Sequence, residues 1–150
     1  RFGPLEDSSQ VARRLLHGQA MLVAAPDLPG LDALNRPEDL ARFDLVGLAA
    51  PWPGGLPLQN GREEVVIPHD PPLRLGSHLA VRDALLAGAG IAALPGIVAR
   101  PEIAAGRLVH VLPDWSTPRK AIYFVYPSAQ SVTARLCAFI DHLARELGDD

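Results

Sequence analysis

Two neighbouring stretches of the chain carry residue types at spacings that could do chemistry. Gly88-Ala89-Gly90-Ile91-Ala92-Ala93 fits G-x-G-x-x-A, the spacing of a loop that cradles a dinucleotide phosphate. That chemistry needs a strand before the glycines and a helix after them, so that the helix N-terminus faces the pyrophosphate. Here the order is reversed. Leu79, Ala80, Ala84, Leu85 and Ala87 fall near helical spacing upstream, and Ile91–Leu94 downstream is a short apolar run closed by Pro95. The stretch reads as helix, glycine turn, strand, with glycines that let the helix pack closely on the strand. The end of that helix that attracts anions is at Ser77-His78. Ser77 suits an N-cap, and the first-turn N–H groups with the positive dipole end suit a carboxylate or phosphate. His78 adds a donor and a pH-dependent charge. The plainer alternative is a serine cap followed by a solvated histidine.

Other reactive side chains form no motif with a mechanism. Ser77, His78, Asp83, His69 and Asp70 supply the types of a hydrolytic triad, but there is no G-x-S-x-G elbow. His69-Asp70 and His78 do not match H-E-x-x-H or another metal spacing. His110 sits in an alternating segment and reads as structural. Cys137 is alone, which rules out an internal disulfide or a cysteine-based zinc site, and its helical context makes it a small core residue. The expectation is a protein that is not an enzyme, with no metal and no cofactor.

The elements that must position these residues alternate between strand and helix. Strands are expected at Met21–Pro26, Asp44–Ala49, Glu64–Pro68, Ile91–Leu94, Arg107–Asp114 and Ala121–Pro127. A short helix is expected at Asn35–Phe43 with Pro37 at its first position, and a broken one over Gly96–Gly106. The clearest helix is 131–148, with Val132, Leu136, Ile140, Leu143 and Leu147 on one face. Residues 7–16 are ambiguous between helix and strand, with His17-Gly18 a possible hairpin turn into Met21. Pro51–Glu64 is rich in Pro and Gly and reads as loop, with Trp52 a shield over the core. Alternation of this kind makes the class α/β.

With 150 residues, 48% hydrophobic and 21% charged, the chain has an ordinary globular balance. Its formal net charge of −3 argues against this segment holding DNA by itself. No apolar run is long enough to span a membrane, and none reads as a signal peptide. The chain opens on "RFGPLEDSS" without an initiating Met, as expected of a fragment or processed product.

Four stretches in order, "GPLEDSSQVARRL" followed by "LVAAP", "RPEDLARFDLVGL", "LLAGAGIAALPGIVARPEIAAGRLVHVLPDW" and "AIYFVYPSAQSVTARLCAFIDHL", resemble the effector-binding domain of LysR-type transcriptional regulators. The resemblance covers nearly the whole chain. It implies a type 2 periplasmic-binding-protein-like α/β fold, two lobes joined by two crossing strands. Residues 1–20 and 121–150 would belong to lobe I and 27–118 to lobe II, with hinge strands near 21–26 and 119–127. Lobe I would be incomplete, since the family's helix-turn-helix, linker helix and first part of that lobe have no counterpart in these residues. A small, anionic metabolite would bind in the interlobe cleft. By resemblance that cleft is bordered by Pro4, Leu5 and Glu6, by Ser77 and His78, and by Pro95 and Gly96. Implied partners are the effector, a homo-oligomeric partner (dimer or tetramer) and DNA through the helix-turn-helix alone, in the cytoplasm with no membrane. A transporter's solute-binding protein of the same fold is the alternative.

Overall fold

The computed structural model describes residues 11–49, 52, 54–126 and 133–147. In chain order the elements are β1 (Val11–Gly18), β2 (Ala20–Ala24), β3 (Val46–Leu48), β4 (Leu56–Gln59), β5 (Glu64–Ile67), β6 (Leu73–Leu75), α1 (His78–Leu86), β7 (Ile91–Pro95), α2 (Gly96–Ala104), β8 (Val109–His110), β9 (Lys120–Tyr126) and α3 (Ala134–Leu147), with 3-10 turns at Leu31–Ala33 and Pro37–Arg42. They fall into two units, one made of Arg1–Gly18 and Arg119–Asp150, the other of Gln19–Pro118.

In the first unit β1 and β9 pair antiparallel from Val11 opposite Tyr126 to Gly18 opposite Lys120. α3 packs on β1 with Ile140 buried and Leu136 and Leu143 half-buried, the i, i+4, i+7 face that the sequence marks. Val132, assigned to the same face, lies outside the described residues. Within the ambiguous segment, residues 11–16 resolve as strand, residues 7–10 lie outside the described residues, and the hairpin turn considered at His17-Gly18 does not form. Those residues continue the ladder opposite Ala121 and Lys120. β2 cannot serve as the hairpin partner because β7 and β8 occupy its two edges.

The second unit is built around β2, the central strand of an antiparallel order β7-β2-β8. A parallel bridge between Leu45 and Ile91 sets β3 beside β7, and β6 pairs in parallel with β3. Strand alternation sends successive residues to opposite faces. Leu22, Ala24 and Ile91 enter one core with Leu34, Leu40, Leu56, Leu58, Ile67, Val111 and Leu112. Val23, Ala92 and Leu94 enter a second core with Val81 and Leu85 of α1, Ala99 of α2 and Leu108. Burying each large aliphatic side chain is worth about 1.5–3 kcal/mol relative to exposure, so both faces of this sheet are held mainly by apolar packing.

Three expectations are corrected here, and one element is added. Pro51–Glu64 is not all loop, because Leu56–Gln59 forms β4 and pairs with β5. The Gln59 N–H donates to the Ser116 carbonyl on the side away from β5. Pro57, two residues earlier, directs its missing N–H to that same side, so the β4–β5 ladder loses nothing. The expected strand at 107–114 shortens to Val109–His110, since Leu112 takes φ 49° and the chain turns there. α2 runs unbroken through Pro101. Leu73–Leu75, not singled out in the sequence, is β6.

The chain passes between the units at Gly18–Gln19 and Pro118–Arg119; Met21–Pro26, where the resemblance puts a hinge strand, lies in the second unit. Just inside it, Ala20 N–H donates to Thr117 Oγ1 at 2.8 Å and Thr117 N–H donates back to the Ala20 carbonyl at 3.1 Å. Thr117 is buried, and this reciprocal pair ties the two segments side by side where they leave the unit.

Candidate functional site

β3, β6 and β7 run in the same direction, so their carboxyl ends share one edge of the second unit's sheet. In open α/β sheets that edge is where ligands gather. α1 starts there after β6, and α2 starts there after β7. The N-termini of both helices, and with them Ser77, His78, Pro95 and Gly96, therefore lie along one edge. β6 and β7 flank β3, so their ends stand two strand spacings apart, about 10 Å, a span that a small molecule can cover.

Ser77 is exposed and takes extended backbone angles; its Oγ accepts the Ala80 N–H at 3.2 Å, and its carbonyl accepts the Val81 N–H at 3.0 Å. The sequence expectation of an N-cap is met. The hydroxyl still has its own hydrogen to donate, so capping and anion binding are compatible at one atom. His78, the first residue of the helix, is half-buried, and burial pushes its imidazole below the ordinary value of 6.5. The positive charge expected of it is therefore disfavoured relative to that of a solvated imidazole.

Pro95 and Gly96 do less than expected. Pro95 ends β7 and flanks the first turn of α2, while Gly96 is buried and its N–H donates to the Gln19 carbonyl at 3.2 Å. That donor is committed within the fold, which leaves the half-buried Pro95 ring as the surface this pair contributes. Pro4, Leu5 and Glu6 lie outside the described residues.

The glycine run does no phosphate chemistry. Gly88 adopts φ 79° just past the end of α1; its N–H donates to the Leu85 carbonyl, and the Ala89 N–H donates to the Ala84 carbonyl. This is a Schellman ending, which satisfies the last carbonyls of the helix. Gly90 adopts φ 137°, and a Cβ there would stand 2.0 Å from the Asp44 carbonyl oxygen. Only glycine lets β7 come close enough to β3 for the Ile91 N–H to reach that carbonyl at 3.0 Å.

His69, Asp70 and His110, weighed in the sequence for catalysis or metal binding, have structural surroundings. His69 packs its ring over Gly47, leaving Nδ1 buried without a hydrogen-bond partner. Burial, and then the Arg74 charge, push its titration down against a smaller upward pull from Asp70. Asp70, one of the acids weighed for a triad, is ion-paired with Arg74. His110 on β8 has a buried, unpartnered Nε2, and burial lowers it too. Among the described residues no group of three His, Cys, Asp or Glu side chains could hold a metal ion. One polar centre escaped sequence reasoning. Glu102 on α2 is buried and accepts from Arg107 Nε at 2.6 Å, with the Arg82 guanidinium of α1 3.9 Å from its other oxygen. No spacing rule joins α1, α2 and the turn after α2, so the sequence gives no signal for it.

Known proteins extend these observations. A family model described as the LysR substrate binding domain matches residues 1–148. The transcriptional regulator PtxR of Pseudomonas aeruginosa is 39% identical over 152 residues, covering 99% of this chain and 48% of its own. Among solved structures, the CrgA regulatory domain of Neisseria meningitidis superposes with a TM-score of 0.79 at 26% identity, covering 97% of this chain and 72% of that one. The AphB regulatory domain of Vibrio vulnificus gives 0.74 at 30% identity, covering 97% and 73%. The chain spans about half the length of the curated relatives it matches. These relatives are named as transcriptional regulators, not as the solute-binding proteins of transporters, and the α/β fold is of the type 2 periplasmic-binding-protein-like kind. The chain belongs to the LysR substrate binding domain family, the effector-binding part of LysR-type transcriptional regulators.

Proposed function

We propose that this chain senses a small anionic metabolite at the carboxyl edge of β3, β6 and β7, and that a longer protein containing it converts the binding into control of transcription. The carrying observation is the Ser77-capped start of α1 on the edge shared with Pro95 and Gly96. A capped helix start offers an anion the positive end of the dipole and a hydroxyl donor. His78 adds an imidazole beside it. Relatives named as transcriptional regulators favour a sensor over an enzyme. In the full protein the DNA contacts come from a helix-turn-helix outside these residues, within a cytoplasmic homo-oligomer. The ligand acts by binding one arrangement of the protein better than another. The proposed hinge lies where the chain passes between the units, at Gly18–Gln19 and Pro118–Arg119.

Thermal unfolding against a panel of small mono- and dicarboxylates tests the site. A ligand present at about a hundred times its Kd stabilises the native state by about 2.7 kcal/mol. Ser77→Ala and His78→Ala are expected to shrink the ligand-induced shift beyond any change in the unliganded midpoint. A shift that both variants retain in full refutes the site.

A further inference from the structure

On the side of the second unit that carries the β4–β5 hairpin, a cavity of about 190 Å³ opens at the surface. It shares no lining residue with the carboxyl edge. Pro37, Val65 and Trp115 are its buried and half-buried members, and Val65 and Trp115 pack on the core beneath. Its exposed rim is formed by Asn35, Arg36, Glu38 and Glu63. Residues bearing an indole, two carboxylates, one guanidinium and one amide thus line one small surface cavity.

The walls are held by the fold. Asp39 Oδ2 accepts the N–H groups of both Asn35 and Arg36, at 3.1 and 3.0 Å. Asn60 Oδ1 accepts those of Arg62 and Glu63, at 2.9 and 2.8 Å. Trp115 N–H donates to the Leu112 carbonyl at 2.9 Å, and the next residue, Ser116, is bridged to both Met21 and Gln59. Backbone fixed before binding lowers the ordering cost that a small ligand must overcome.

We propose that this cavity binds a small zwitterion of the amino-acid type. Its ammonium group is held by Glu38 and Glu63 against the Trp115 ring, and its carboxylate by Arg36 and Asn35. The rim carries two negative charges and one positive, so a simple anion of the kind suited to Ser77 is disfavoured. An ammonium group gains both Coulomb attraction and a cation–π contact. Arg36 supplies a planar, two-pronged donor matched to a carboxylate. The proposal stands independently of the anion site.

The test uses the full chain with Trp52→Phe, which leaves Trp115 as the single indole reporter, since the sequence has two tryptophans. The probes are γ-aminobutyrate, n-butylamine and butyrate. Saturable change in Trp115 fluorescence is expected with γ-aminobutyrate, weaker change with n-butylamine and none with butyrate. Glu63→Gln is expected to weaken γ-aminobutyrate about tenfold, the loss of one charge-assisted hydrogen bond. Arg36→Gln is expected to weaken γ-aminobutyrate and leave n-butylamine unchanged. Should Trp52→Phe fail to fold, the indole N–H resonances of the unsubstituted chain give the same readout. No saturable response to γ-aminobutyrate, or a response that Glu38→Gln and Glu63→Gln together leave intact, overturns the proposal.

Discussion

Gly88 and Gly90 share a motif and a positive φ, yet they should respond very differently to alanine. At Gly88 a Cβ would meet nothing within 4 Å, so the cost of Gly88→Ala is the left-handed backbone alone, about 1–2 kcal/mol. At Gly90 the same atom would stand 2.0 Å from the Asp44 carbonyl oxygen, a backbone atom that can yield only by moving β3 away from β7. That movement breaks the hydrogen bond from the Ile91 N–H to Asp44, worth ~1 kcal/mol, and adds backbone strain of about 1–3 kcal/mol. It also loosens the junction of the two apolar cores at Ile91 and Ala92. The first two terms sum to about 2–4 kcal/mol and the loosened core adds to them, a large part of the ~5–15 kcal/mol that holds a typical domain. Urea denaturation followed by tryptophan fluorescence and circular dichroism reads both variants. At about 2–4 °C per kcal/mol, thermal midpoints should fall by a few degrees for Gly88→Ala and by about ten or more for Gly90→Ala. Equal losses would refute the close-approach argument. Loss of nucleotide binding from both variants without loss of stability would restore the phosphate-loop reading.

Further perturbations follow from the same geometry. Ser77→Ala removes a cap and should cost about 1 kcal/mol, while Ser77→Asp should recover it; chemical denaturation of both separates capping from ligand binding. Leu85→Ala empties a fully buried position under α1 and should cost about 2–5 kcal/mol, visible as a lower urea midpoint with an unchanged slope. His69, His78 and His110 all titrate below 6.5 in the folded chain. The unfolded chain therefore binds protons first as pH falls, and the stability present above 6.5 is lost on going down through the folded values. Urea midpoints at about pH 7.5 and 5.5 should converge in a His69→Phe, His110→Phe double variant relative to the parent; an unchanged difference would contradict the burial assigned to these rings.

How much of this was legible in the sequence depended on how local each determinant is. The Ser77 cap, the helix over His78–Leu86 and the glycine ending are written within a dozen residues, and the structure returns them as read. The apolar run of β7 and the aromatic run of β9 were equally plain. Determinants that depend on distant partners were not. β6 is three residues between a proline pair and a glycine, and it exists because β3 pairs with it. β4 contains a proline whose harmlessness depends on which side Ser116 lies. His17-Gly18 looked like a turn because β9, its partner, is a hundred positions away. The site divides in the same way. Ser77 was found from its helix, whereas the commitment of the Gly96 N–H to Gln19 and the pairing of Glu102 with Arg107 are tertiary facts.

The order of the two units along the chain bears on how the protein is made. The second unit is one uninterrupted stretch, Gln19–Pro118, and can fold as soon as it clears the ribosome. β1 emerges first of all the described strands, yet its partner β9 follows only after that whole stretch. At roughly 5–20 residues per second, the ~100 residues between them take about 5–20 s to synthesise. For that interval the edge of β1 that β9 will fill is open, and an open edge is a template for pairing with other chains. A nascent chain therefore passes through a state in which the second unit is complete while the β9 edge of β1 still waits for its partner, and slower translation lengthens that exposure.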